Sequence, residues 1–515
     1  MFPFRDSNID TDSIRLKVNG VLEPERKSAL GQFMTPSAVA EFMASLFDDP
    51  VGPADVLDAG AGIGSLTVAA VRRLQNVGSV DAWELDPLMR EHLDSNLRTL
   101  RIQHRVVADD FIVSAVQRIA LGKGRRYTHA ILNPPYKKVN SDSVHRALLR
   151  KVGVETVNLY SAFVALSVLL MKDEGQVVAI IPRSFCNGPY YRPFRQFLER
   201  NCSIDRIHVF ESRTKAFSDD EVLQENVIIK VVRGKTQGAI VVSSSHDQQL
   251  SDYSERVFPY SQIVKPADSE SFIHIPTENH KEGTGDDLFE CPLSEIGLEV
   301  CTGPVVDFRL KNFWLDGLIP GSVPLLYPHH FSGGALHYPK THKKPNALLL
   351  FPEVQGWLMP NDCYVLVKRF SSKEEKRRVV AYVYDPEEIH CQQVGFENHW
   401  NVIHWHKRGI DPLLASGLAC FLNSTILDNH FRVFSGHTQV NATDLRNMKY
   451  PRIEVLKSLG TEFRSDLKQS EVDDIVGRVH GQGEQIQNKR ERFSLTWDFQ
   501  ERNRTREQHS ACWRS

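Results

Sequence analysis

The sequence is poor in the features that announce membranes, metals or covalent catalysis. Its 515 residues contain no apolar run of the roughly 18 to 20 residues that a membrane-spanning helix needs. The opening stretch, MFPFRDSNIDTDSIRLK, has acids where a secretory signal would be apolar. A cytoplasmic protein with no membrane partner is expected. Its eight cysteines stand singly, with no Cys-x-x-Cys pair and no histidine spacing beyond HWH and HH. That excludes a disulfide framework and a zinc site as organising features, and no metal is expected. Formal net charge is only −2, so the overall basic character of a small nucleic-acid-binding module is missing and charge has to be read locally. There is no internal repeat.

What is present is alternation. From Ala54 to about Lys235, β-branched runs (DVLDAG, SVDAWELD, HRVVADDF, HAILNPPY, GQVVAIIP, IDRIHVF, NVIIKVV) alternate with stretches of helical spacing such as PLMREHLDSNLRTL and NLYSAFVALSVLLMK. This pattern predicts a doubly wound α/β sheet of the Rossmann-like kind. The expected organisation is an N-terminal extension over 1–28, a catalytic domain over 29–236, and a polar linker over 237–287. A mixed α+β domain over 288–455 and a charged helical segment over 456–515 follow.

Two strand ends carry the chemistry. In VLDAGAGIGSLTVAA, Asp58 closes a strand and is followed by Gly60, Gly62 and Gly64, which let the backbone turn tightly and approach a ligand. A nicotinamide fingerprint would need glycine at position 65, which is Ser65, so the dinucleotide reading weakens. The spacing is closer to that of S-adenosylmethionine-dependent methyltransferases. Asp58 is then expected near the cationic amino group of the cofactor, Glu84 at the ribose hydroxyls, and Leu85 on one face of the adenine. Asp110 at the third strand end is expected at the adenine amine, with Phe111 on the other face.

The second strand end is Asn133-Pro134-Pro135-Tyr136, which follows the apolar Ala130, Ile131 and Leu132. Two prolines forbid the chain from continuing as inner strand or helix. With these motifs together the chain resembles a gamma-type DNA adenine methyltransferase of a type II restriction-modification system. NPPY corresponds to the catalytic motif of that family and DAGAGIG to its cofactor loop. GQFMTP (Gly31 to Pro36), containing Thr35 and Pro36, closes the pocket over the methionine end. NLYSAF, GQVVAIIP and AFSDDEVLQENVIIKV also match, and the upstream position of the Thr-Pro segment resembles the gamma order.

The resemblance implies transfer of a methyl group to the exocyclic amine of a flipped-out adenine in double-stranded DNA. The Asn133 side-chain oxygen and the Pro134 carbonyl would bind the amine hydrogens, Pro135 would stiffen the turn, and Tyr136 and Phe217 would stack on the base. It also implies a cognate restriction endonuclease as a separate chain, since no fused nuclease motif is apparent. Ring-carbon methylation of cytosine would need a Pro-Cys nucleophile, and only the reversed Cys291-Pro292 occurs. RNA and protein-glutamine amino-methyltransferases share the motif but usually lack the long region after residue 288. A catalytically silent nucleic-acid-binding adaptor is the alternative from another class, and intact Asn133 and Tyr136 argue against it.

In the later region, VKRFSSKEEKRRV (Val367 to Val379) gathers Lys368, Arg369, Lys376, Arg377 and Arg378 as a candidate phosphate-facing patch. A solvated loop is the plainer reading of such a run. SGHTQVNATDLRNMKYP predicts a turn at Gly436 and a helix capped near Asn441. His437, Gln439 and Asn441 are candidate base readers there. Arg309, His329 and His330 are loop candidates.

Overall fold

The near-continuous apolar runs of the first half become inner strands because both of their faces are covered, as a parallel sheet flanked by helices requires. The computed structural model describes residues 9–21, 34–210, 225–266, 268–276, 288–371, 377–434 and 439–479. They form two units, residues 1–276 with 434–437, and residues 277–433 with 438–515.

In the first unit the described strands are β1 (Ala54–Ala59), β2 (Val77–Trp83), β3 (His104–Val107), β4 (Tyr127–Leu132), β5 (Met171–Pro182), β6 (Cys202–Phe210), β7 (Asn226–Arg233), β8 (Ile240–Ser245) and β9 (Ser254–Phe258). They make one sheet in the order β3-β2-β1-β4-β5-β7-β6-β8-β9. β3, β2, β1, β4 and β5 run parallel, while β7 is antiparallel to both β5 and β6. The chain winds outward from β1 to β3 and then returns to β4 on the other side of β1. The carboxyl ends of β1 and β4 therefore flank the point where the winding reverses, which is where open α/β sheets bind ligands. Helices Ser65–Arg73, Pro87–Thr99 and Phe111–Ala120 follow β1, β2 and β3, and helix Leu159–Leu170 precedes β5.

Two expected boundaries shift. The polar stretch from 237, expected as linker, contributes β8, parallel to β6, and β9, antiparallel to β8. Its serines escape a reading based on hydrophobic period because they serve a buried polar cluster. Ser243 and Ser245 hydroxyls meet the two ring nitrogens of fully buried His208, at 3.0 and 3.2 Å. The expected N-terminal extension contains helix Thr11–Val21, whose Val18 is buried with Ile63 and Met89 of the glycine-loop region.

The second unit is mixed α+β, as expected. Strands Glu299–Thr302, Trp400–His404, Tyr364–Lys368 and Ala381–Tyr384 form an antiparallel sheet, and a second sheet is built around Ser322–Leu326. Helices Pro412–Leu422 and Ile453–Glu462 pack at backbone distance. A Cβ on Gly417 would lie 1.7 Å from the Leu456 carbonyl oxygen, and one on Gly460 would lie 2.1 Å from that of Leu413. No side-chain rotation relieves a clash with backbone. Gly417→Ala is therefore expected to push the helices apart and destabilise this unit by about 1–3 kcal/mol, the usual cost of overpacking. Urea unfolding followed by circular dichroism measures this, and an unchanged midpoint would contradict the close approach.

Candidate active site

The glycine loop is shaped by backbone conformations that other residues adopt with difficulty. Gly60, Gly62 and Gly64 have φ of 80°, 57° and 89°. The Gly60 and Ala61 amides both donate to the Trp83 carbonyl at 2.9 Å, which ties the loop to the end of β2. A Cβ on Gly64 would sit 2.7 Å from Leu93 Cδ1, so this glycine also allows helix Pro87–Thr99 to approach.

Two carboxylates flank the loop. Glu84 Oε2 accepts from the Gly62 amide at 2.8 Å and Oε1 from the Asp86 amide at 2.7 Å. Burial pushes its pKa up, against the pull of these amides. Asp58 is fully buried, and its Oδ2 accepts the Thr67 hydroxyl at 2.5 Å. Its Oδ1 has no partner among the described residues. Burial, with the nearby charge of Glu84 adding, pushes its pKa up to about 7. Asp58 does not line the neighbouring cavity and bonds Thr67 of the following helix, where the motif led to an expected contact with the cofactor.

That cavity has a volume of about 240 Å³ and opens beside the carboxyl ends of β1, β2 and β4. Thr35, Gly60, Gly62, Glu84, Leu85, Asp110, Phe111, Asn133 and Pro135 all line it, which brings most of the expected residues together. Leu85 stays 51% exposed, an apolar side chain left at the cavity rather than in the core. Phe111 is buried and packs edge-on to Trp83 at 5.5 Å and tilted against Phe163 at 4.9 Å. Asp110 caps helix Phe111–Ala120 through Oδ1, which accepts the Val113 amide at 3.1 Å, while Oδ2 accepts from His145 Nε2 at 3.0 Å.

Several walls were not assigned from the sequence. Leu159 and Phe163 belong to NLYSAF and Met34 to GQFMTP, stretches that matched without a role for these residues, Ser65 and Trp83 adjoin assigned positions, and His145 lies outside every quoted motif. The Ser65 hydroxyl and the Trp83 indole nitrogen are buried without a partner among the described residues.

At the end of β4 the Asn133 amide is held from two sides. Its Nδ2 donates to the Thr35 hydroxyl at 2.9 Å, and its Oδ1 accepts from the Tyr136 hydroxyl at 3.1 Å. The same hydroxyl lies 3.2 Å from the Ile180 carbonyl of β5, and burial pushes its pKa far up. Tyr136 meets Tyr160 edge-on at 6.1 Å. Pro36 stands at the start of helix Ser37–Ser45. Phe217 lies outside the described residues.

The expected basic patch is corrected. Arg378 is 1% exposed, with its guanidinium 5.9 Å over the Phe431 ring and its backbone amide donating to Asp428 Oδ1 at 2.6 Å. Arg377 and Arg369 donate to the carbonyls of Asn423 and Asn398, at 2.8 and 3.1 Å, and Lys368 lies 5.8 Å over Tyr382. The described cations of this run turn back onto the fold. Lys376 and His437 lie outside the described residues. Gln439 bridges Phe370 as an isolated β-pair and is half-buried. Asn441 caps helix Ala442–Asn447 in a reciprocal box with Asp444, the ordinary capping role.

Asp58 generates a pH prediction. Its folded pKa lies above the unfolded value of 3.8, so its stabilising contribution is complete below that value and is lost as pH rises through about 7. Asp58→Asn removes this loss while keeping an acceptor for Thr67. The variant should therefore gain on the wild type between pH 4 and pH 8, by at most on the order of 4 kcal/mol. Urea unfolding of both proteins without ligand at the two pH values reads the difference, and a pH-independent difference refutes the assignment.

Comparison with known proteins identifies the family. Residues 84–217 match the Eco57I restriction-modification methylase family. The chain is 52% identical over 465 residues to Type II methyltransferase M.BsuBI of Bacillus subtilis, covering 87% of this chain and 92% of that one. It is 41% identical over 491 residues to Type II methyltransferase M.PstI of Providencia stuartii, covering 92% and 97%. Among solved structures, a DrdV–DNA complex aligns with a TM-score of 0.50 at 12% identity, over 84% of this chain and 55% of that chain, which supports the fold alone. The cavity fits S-adenosylmethionine, with buried Glu84 suited to a diol, exposed Leu85 to an aromatic face, and the unpartnered Ser65 hydroxyl to a polar amino-acid end. The chain belongs to the type II methyltransferases of restriction-modification systems, and its cofactor is S-adenosylmethionine.

Proposed function

We propose that the chain methylates the exocyclic 6-amino group of a flipped-out adenine at a specific site in double-stranded DNA. It would thereby protect that DNA from a restriction endonuclease carried on a separate chain. The observation that carries the reading is the Asn133 amide, fixed by two hydroxyls at the mouth of the cofactor cavity.

An aromatic exocyclic amine is a poor nucleophile because its lone pair is delocalised into the ring. The Asn133 oxygen and the Pro134 carbonyl are two acceptors for its two hydrogens. Pro134 accepts no hydrogen bond from the described residues, and the proline pair holds the carbonyl rigidly. Accepting both hydrogens draws the nitrogen towards tetrahedral geometry, so that its lone pair leaves the ring plane. Because both acceptors are set in advance, little reorganisation accompanies the reaction. S-adenosylmethionine supplies an electrophilic methyl group when bound. Glu84 and Asp110 hold its adenosine end, and the amine proton is lost to solvent. Tyr136 offers its ring to the extruded base, whose unstacking costs a few kcal/mol.

The expected behaviour separates chemistry from binding. Asn133→Ala should abolish methyl transfer while cofactor affinity stays within about tenfold, roughly 1.4 kcal/mol. Tyr136→Ala should lose the stacking of about 1–3 kcal/mol as well as the hydroxyl, whereas Tyr136→Phe loses only the hydroxyl with its contacts to Asn133 and the Ile180 carbonyl, about 1 kcal/mol. Single-turnover transfer of labelled methyl to duplex DNA, with mass spectrometry of the digested nucleosides, measures both rate and product. N4-methylcytosine as product, or near-normal turnover by Asn133→Ala, would overturn the reading.

A further inference from the structure

Arg378 is internal, and exposed cations of the second unit come together from another segment. Residues 307–346 carry Arg309, Lys311, Lys340, Lys343 and Lys344 against two acids, Asp307 and Asp316, in a chain whose formal net charge is −2. No two of these cations except Lys343 and Lys344 are adjacent in sequence, so no run reveals them. The fold gathers them.

Two loops are tied together at Asp307. This carboxylate is 3% exposed and accepts from Lys344 Nζ at 2.6 Å and from the Tyr327 hydroxyl at 3.0 Å. The Lys344 charge and these hydrogen bonds hold its pKa below the usual range in spite of burial. The acid is thus neutralised internally and unavailable to the loop cations. Asn346, also buried, organises the second loop. Its Nδ2 donates to the carbonyls of Asp316 and Lys340 at 2.8 and 3.0 Å, and its Oδ1 accepts the Lys340 amide at 3.0 Å and meets His330 Nε2 at 2.9 Å. Lys340 Nζ donates to the His329 carbonyl at 2.9 Å, and His329 stacks on His342 at 4.0 Å.

The fixed backbone displays cations outward. Arg309, Lys311, Lys340 and Lys343 are exposed, with Asp316 the one exposed carboxylate of the segment. Arg309, Lys311 and Lys343 have no carboxylate partner among the described residues. Phe308 is 60% exposed, and the Arg309 guanidinium lies 5.9 Å over its ring. Leaving such a ring in water forfeits the stabilisation that burial provides. Burial, with the neighbouring histidines, Lys340 and Lys344 adding, holds His329 down to about 4. A merely solvated loop has no need of an internal acid, a buried asparagine hub and an exposed aromatic beside its cations.

We infer that the surface formed by Arg309, Lys311, Lys340 and Lys343 is the site at which the second unit grips the phosphate backbone of duplex DNA. The inference rests on the proposed DNA substrate. Phosphate contacts are blind to sequence and release condensed counterions, so each neutralised phosphate adds about 0.9 to the slope of log affinity against log salt.

The test is a salt titration of duplex binding by the full chain and by the triple variant Arg309→Ala/Lys311→Ala/Lys343→Ala, on cognate and scrambled duplexes. All three side chains are exposed, and unchanged thermal melting and S-adenosylmethionine affinity control for folding. The variant should weaken both duplexes alike and flatten the slope by up to about 2.7. At saturating DNA and low salt its methyl-transfer rate should stay unchanged. An unaltered slope, or weakening of the cognate duplex only, overturns the inference. The two readings fail separately. A wild type that methylates DNA while the triple variant keeps its slope removes the patch and leaves the function. A wild type that binds duplexes with the expected slope, lost in the variant, yet transfers no methyl removes the function and leaves the patch.

Discussion

An amide oxygen can direct the hydrogens of a target amine only if the amide cannot turn, and the immobilisation of Asn133 is the constraint around which the first unit is arranged. The terminal torsion of asparagine is soft. Here the Thr35 hydroxyl takes one end of the amide and the Tyr136 hydroxyl the other. Each of these partners is fixed in turn. Tyr136 is held against the Ile180 carbonyl on β5. Thr35 precedes Ser37, whose amide donates to Asp12 Oδ1 at 3.1 Å on the N-terminal helix. The orientation of one side chain therefore draws on residues from positions 12 to 180, and the N-terminal helix serves the site.

Much of the first unit was legible because its signals are local. Strands covered on both faces read as apolar runs, the glycine loop needs positive φ at three positions, and two prolines can only end β4. What escaped was assembled across the chain. Ser65, Trp83, His145 and Phe163 become cavity walls only when helices fold over the sheet, and even where they adjoin a motif their own residue types do not say which side chains face a ligand. β8 escaped for a different reason. Its serines satisfy a buried histidine, so a polar sequence forms an inner strand of the kind that hydrophobic period does not detect.

The second unit shows why charge is harder to read than hydrophobicity. A run such as KEEKRR states how many cations are near one another but not which of them point inwards. Arg378 goes into the core, where an acceptor, a carboxylate on its own amide and an aromatic face compensate its burial. The cations that reach solvent together come from loops some thirty residues apart, joined by the ion pair of Lys344 with Asp307. Capping was legible at Asn441 because its partner Asp444 is three residues away.

Two carboxyl groups among the described residues are pushed up to about 7, and they differ in meaning. Asp58 and Asp444 are both almost wholly buried, and burial is the leading cause in each. Asp444 closes a capping box on a six-residue helix, where its hydrogen-bonded oxygen satisfies a helix end. Asp58 lies beside a loop whose other carboxylate, Glu84, faces a cavity, and the charge of Glu84 adds to the burial that raises Asp58. A perturbed pKa by itself marks only desolvation. At Asp58 the desolvation falls beside the switch point of the sheet, next to a loop that lines the cofactor cavity, and the geometry of that loop rather than the shift marks the place.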